Sequence, residues 1–173
     1  ASPARKPSLR LPFSAARPPA KNSTPSQYLA FIGTYTAKTD SKGIYSVRFD
    51  TATGQLTSIG LAAPAQDPSF LTISANEKYL YAVNELSTFD GKSSGAVTSY
   101  SLDRKSGKLT QLNQLPSAGA VPCNVWLTRP GQLLLVPNYT GGIFQTLPLS
   151  PDRRLAPLPP RFLPTARAPT KHP

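Results

Sequence analysis

The chain has 173 residues, 20 of them Pro, and its 19 Lys and Arg outnumber 8 Asp and Glu to leave a net charge of +11. A single Cys, Cys123, excludes an internal disulfide and a metal site built from paired cysteines. No stretch is apolar for long enough to cross a bilayer as a helix.

The charge is uneven. Residues 1–27 hold five basic and no acidic residues with six Pro, and residues 151–173 hold five basic and one acidic with seven Pro. Segments so rich in Pro and like charge bury too little apolar surface to offset chain entropy. Both are expected to be disordered tails around one folded unit, 28–150. Neither interleaves aromatic with basic residues, so no specific nucleic acid and no membrane is expected as a partner.

In chain order, Tyr28-Leu-Ala-Phe-Ile-Gly33 is a continuous apolar run, as expected of a strand buried on both faces. Ile44–Phe49 alternates instead, with Tyr45, Val47 and Phe49 on one face and Ser46 and Arg48 on the other, predicting a half-exposed strand. Asp50-Thr-Ala-Thr-Gly54 follows, a loop in which Asp can bond backbone N–H groups two residues on and Gly can take positive φ. Pro68–Ile73 reads as a further strand.

The whole series then returns. Val97–Asp103 with Gly107-Lys-Leu-Thr110 repeats Ile44–Asp50 with Gly54-Gln-Leu-Thr57. Pro122–Leu127 repeats Pro68–Ile73, and Leu133–Asn138 repeats Tyr79–Asn84. A period of about 50 residues built from short strands is the signature of a β-propeller blade. The expected fold is therefore all-β, an incomplete propeller of about two and a half blades, each of four antiparallel strands. The unit reads as an inner apolar strand, an alternating strand, a strand after the Asp–Gly loop and a strand after the proline. Asp152-Arg-Arg-Leu155 imitates the loop without its Gly, and the β pattern then dissolves into Pro.

The wording of the repeats is specific. Phe31-Ile-Gly-Thr-Tyr-Thr36, Gly43-Ile-Tyr45, Phe49–Gly54, Tyr79-Leu-Tyr-Ala-Val-Asn-Glu85, Gly95-Ala-Val97, Val121-Pro-Cys123 and Leu135-Val-Pro-Asn-Tyr-Thr-Gly-Gly142 resemble the lactonase-family propellers. These are the 6-phosphogluconolactonase type, seven-bladed, which also include carboxymuconate cyclases. The likeness is read over residues 28–150. It implies hydrolysis of a sugar lactone, a small-molecule partner; no cofactor and no metal are expected. Such a reaction needs a base for water and donors for the developing oxyanion. The alternatives are a non-catalytic binding module on the same scaffold and a cyclase-like enzyme.

Glu85, where an apolar strand ends, is the expected catalytic carboxylate; its bland alternative is a strand-end group bonding nearby backbone. Tyr35, Asn138 and Tyr139 sit at equivalent strand ends and are expected to contact substrate, packing being the alternative for the tyrosines. Asn124, also expected to bind substrate, stands where the resemblance implies a His, and it cannot serve as a base at neutral pH. Pro137 replaces an Ala and is expected to remove a ladder N–H. The only His, His172, is expected to be solvated. No nucleophile elbow and no phosphate loop are expected. Two glycosylation patterns, Asn22-Ser-Thr24 and Asn138-Tyr-Thr140, matter only for a secreted chain.

Because the Arg- and His-bearing motifs of the resemblance do not follow, the chain as it stands is expected to be inactive, with uncovered blade faces that self-associate. From about Pro160 the tail is expected to be read out of frame. Triplets shifted by one base through Pro164–His172 permit His-Gly-Ser-Gly-Pro-Asn-Lys-Ala, which is closer to the family's wording. The expected compartment is the cytoplasm, the periplasm or exterior being the alternative if a signal peptide preceded Ala1.

Overall fold

A computed structural model describes residues 26–129, 131–157 and 166–167. Eleven strands run in order: β1 (Gln27–Ile32), β2 (Gly43–Asp50), β3 (Leu56–Pro64), β4 (Phe70–Ile73), β5 (Tyr79–Asn84), β6 (Ala96–Asp103), β7 (Lys108–Pro116), β8 (Trp126–Leu127), β9 (Leu133–Asn138), β10 (Ile143–Pro148) and β11 (Ala166–Arg167). They form three sheets, β1-β2-β3, β4-β5-β6-β7 and β8-β9-β10-β11, in which neighbours pair antiparallel. The described chain is all-β, a stack of propeller blades.

The blades are out of phase with the sequence repeat. The strand after the proline does not close the preceding unit; β4 pairs with β5, and β8 with β9. The apolar strands β5 and β9 are consequently second in their blades, not innermost, while β1 lies at the edge of a sheet with three described strands. A tight hairpin decides this. Ser74 donates its N–H to the Tyr79 carbonyl at 3.0 Å and accepts the Tyr79 N–H on its hydroxyl at 3.1 Å, folding β4 back on β5. The third blade also takes a fourth strand, β11, from the stretch expected to lie outside the β structure.

Two cores fill the spaces between blades. Ile44, Ala62, Ala63, Leu80, Ala82, Tyr100 and Leu109 pack between the first and second. Tyr81, Val83, Val97, Val125, Leu134, Val136, Leu147 and Leu155 pack between the second and third. Successive residues of β5 thus enter opposite cores, as its unbroken apolar run requires. The other strand expectations need correction. β6 is buried from Ala96 to Tyr100 rather than half-exposed, because its blade is covered on both sides. Ser46, placed by its polarity on an outer face, is buried against the second blade near Gly107. β1 is only partly buried, since among the described residues a single neighbouring blade covers its sheet.

Pro137 removes no bond between β9 and β10; the N–H it lacks is missing on the other side, toward the segment entering β8. Its carbonyl accepts the Cys123 N–H at 3.2 Å, so its ring nitrogen also faces the loop beside β8 and not β10. The expected folded boundary at residue 150 falls inside a packed turn. Asn113 clasps Leu155 at both ends, accepting its N–H at 2.9 Å and donating to its carbonyl at 2.8 Å. Residues 1–25, 158–165 and 168–173, and the tail expectations that fall on them, lie outside the described residues.

Candidate active site

One end of the blades carries the loops between β1 and β2, between β3 and β4, and after β5 and β9. Three of the expected residues meet this rim. Tyr35, in the β1–β2 loop, donates its hydroxyl to Glu85 Oε2 at 3.0 Å, joining the first blade to the second. Tyr139 follows β9 on the third blade and is 80% exposed. A line of backbone bonds spaces them: Glu85 N–H to the Asp67 carbonyl at 2.9 Å, Val121 N–H to the Leu86 carbonyl at 2.9 Å, and Tyr139 N–H to the Val121 carbonyl at 2.8 Å. Neighbouring blades thereby hold the ends of β5 and β9 side by side.

The bond to Glu85, more than burial, holds the Tyr35 phenol above its ordinary value. At neutral pH it is therefore a neutral donor to the carboxylate. A carboxylate has about four lone-pair sites, so Glu85 can accept this bond and still take a water. That is the arrangement a general base needs.

The other expected residues are placed differently. Asn138 is 3% exposed, with its amide aimed at the carbonyls of Ser117 at 3.0 Å and Ile143 at 3.2 Å. It anchors a loop and does not reach the rim. The same burial keeps a glycan from this position, the first residue of the Asn138-Tyr-Thr140 pattern. Asn124 is half-buried on the segment entering β8 and touches neither Tyr35 nor Glu85 through a hydrogen bond. His172 and the Asn22 pattern lie outside the described residues. A G-x-S-x-G spacing does occur, at Gly91-Lys-Ser-Ser-Gly95, contrary to the expectation of none. It lies in the β5–β6 loop and leads into a strand, so it lacks the strand-to-helix turn of a nucleophile elbow.

Asp67 escaped the sequence reading. It is 8% exposed, and its Oδ1 accepts the N–H groups of Thr36 at 2.6 Å and Ala37 at 3.1 Å. The signal was present in the repeat, where Asp67-Pro68 stands against Val121-Pro122: a carboxylate where the next blade has a hydrocarbon. Beside it Gly33 lies so close that a Cβ would sit 1.9 Å from the Pro68 carbonyl oxygen, so only glycine brings the Tyr35 loop this near.

Comparison with known proteins sets this rim in a family. The family described as lactonase, 7-bladed beta-propeller, matches residues 29–170, past the point at which the sequence reading ended the likeness. A 6-phosphogluconolactonase of Bacillus subtilis is 35% identical over 129 residues, 75% of this chain and 35% of that protein. One of Formosa agariphila is 30% identical over 64% of this chain and 30% of its own. Among solved structures, a periplasmic gluconolactonase of Pseudomonas aeruginosa superposes with a TM-score of 0.68 at 34% identity, covering 76% of this chain and 37% of that one. The chain thus spans about a third of the length of these relatives. It belongs to the lactonase family of 7-bladed β-propellers.

Proposed function

We propose that the rim bearing Tyr35 and Glu85 is a sector of a sugar-lactone hydrolase site, with 6-phosphogluconolactone the substrate suggested by the names of its relatives. The observation that carries this is the 3.0 Å bond between Tyr35 and Glu85, made across two blades. Glu85 takes a proton from water. The hydroxide adds to the lactone carbonyl, the ring C–O bond breaks, and the proton passes to the departing ring oxygen. Tyr35 orients the carboxylate. Tyr139 lies further along the rim, where it can meet the sugar. Glu85 and Asp67, both acidic, stand beside Tyr35, so this part of the rim favours the uncharged lactone ring over a phosphate. We assign the protein to the cytoplasm, with the periplasm, where the Pseudomonas aeruginosa relative resides by name, the alternative. Cell fractionation distinguishes the two.

Expressed as these 173 residues, the chain is expected to hydrolyse 6-phosphogluconolactone no faster than the spontaneous reaction. Tyr35 and Glu85 supply a base and its orienter, but among the described residues no donor set for the oxyanion is identified. Binding is expected nonetheless. Millimolar 6-phosphogluconate should shift the NMR signals of Tyr35, Glu85 and Tyr139, and Glu85→Gln should weaken the effect. Turnover lost in Glu85→Gln would support the site and overturn the expected inactivity. Absence of both turnover and rim shifts would remove the lactone reading.

A further inference from the structure

We propose that Asp67 is the positioning residue that sets Tyr35 against Glu85; the inference deepens the reading of the rim as a lactone site and rests on it only for its functional meaning. Asp67 holds both partners at once. Its carboxylate accepts the Thr36 and Ala37 N–H groups, at 2.6 and 3.1 Å, immediately after Tyr35. The Thr36 hydroxyl adds a bond to the same oxygen at 3.3 Å and receives the Asp67 N–H at 3.1 Å. From the other side, the Asp67 carbonyl accepts the N–H of Glu85 at 2.9 Å. Side chain and backbone of one residue therefore grip the loop of one rim residue and the strand end of the other.

The repeat separates these two grips. Val121 occupies the corresponding position of the next blade, also before a proline. It too is left-handed, φ 57° against 37° for Asp67, and its carbonyl likewise accepts the N–H of the residue after the strand, Tyr139. A left-handed β-branched residue is strained, and the structure keeps that strain at Val121, where no carboxylate is present to relieve it. The backbone grip therefore works with a hydrocarbon side chain. What the Asp67 carboxylate adds is the hold on the Tyr35 loop, a contact the blade itself does not require. A nearly buried carboxylate is retained only where donors compensate its desolvation, and here the donors belong to that loop.

Asp67→Val, which copies the next blade, tests this in the full chain. The variant is expected to fold and to keep slow amide exchange at Glu85. Its Tyr35 phenol, followed by NMR titration, should fall back to the ordinary tyrosine value as the bond to Glu85 is lost. Asp67→Asn retains an acceptor for the two N–H groups and should keep Tyr35 raised. Tyr35 remaining raised in a folded Asp67→Val chain would overturn the proposal. So would a folded Asp67→Asn chain with Tyr35 at its ordinary value, because charge and not geometry would then be responsible. Should Asp67→Val not fold, the Asn variant decides alone. These readouts need no lactone. If they hold while 6-phosphogluconate shifts nothing, the clamp stands and the lactone reading fails.

Discussion

Tyr81 is fully buried between the second and third blades, yet its hydroxyl has no hydrogen-bond partner among the described residues. Burial pushes its phenol up to about 12. An unsatisfied buried hydroxyl costs stability that its removal restores. Tyr81→Phe should therefore melt no lower than the wild type, and gain up to about 1 kcal/mol. The raised value also fixes a pH window. The unfolded chain ionises near the ordinary 10.0 while the folded one resists, so the contribution is complete below 10 and declines as pH rises toward 12. Tyr81→Phe should show a shallower alkaline loss in denaturant titrations, with a remainder from Tyr100, also raised by burial. An unchanged slope would contradict this. At this scale the sequence is a partial guide. Asn84 and Asn138 are equivalent in the repeat and both are buried. Asn84 Oδ1 takes bonds from Thr98 and Gln114, whereas Asn138 Oδ1 has no partner among the described residues. Repetition reveals the position, but partners come from other strands.

The Asp–Gly loops behave as read. Asp50 accepts the N–H groups of Ala52 and Thr53 at 2.8 and 3.1 Å; Asp103 accepts the Lys105 N–H at 2.9 Å and the Ser106 hydroxyl at 2.6 Å. Those bonds hold both carboxyls below the ordinary value: the Ala52 N–H first for Asp50, the Ser106 hydroxyl first for Asp103. Their stabilisation is present above 3.8 and lost as pH falls through the lower folded values. Carboxyl NMR signals of both should titrate below 3.8, and return toward it in Gly54→Pro and Gly107→Pro chains if the loops open. The two glycines separate strain from packing. Both have positive φ, 73° and 71°. A Cβ at Gly54 meets nothing within 4 Å, whereas one at Gly107 meets Ser46 Oγ at 2.8 Å. Gly54→Ala should cost about 1 kcal/mol, from backbone strain alone. Gly107→Ala should cost about 2–3 kcal/mol, because a blade contact is also displaced. Equal costs in denaturant unfolding would show that the blade interface yields freely.

On the scale of the whole molecule, the outer blades carry exposed apolar side chains: Tyr28 and Ile32 on the first, Leu133 and Phe144 on the third. Among the described residues β1 pairs only with β2 and leaves its other edge open. Exposed apolar faces and unpaired strand edges favour association. The 173-residue chain should sediment as concentration-dependent oligomers, and Ile32→Lys with Phe144→Lys should shift it toward monomer. A monomer at all concentrations in the wild type would refute this. What the sequence determined by itself was local or periodic: the β class, the repeat, the Asp–Gly turns, and Tyr35 and Glu85 as strand-end candidates. Each follows from side-chain alternation, turn chemistry or repeated wording within a few residues. The tertiary structure alone decided the phase of the blades, the burial of Ser46 and of Asn138, the side to which Pro137 turns its nitrogen, and the grip of Asp67 on a loop and a strand end. All of these depend on which strand pairs with which and which blade covers which face. Those are contacts between residues tens of positions apart, and the identity of a side chain does not specify its distant partner.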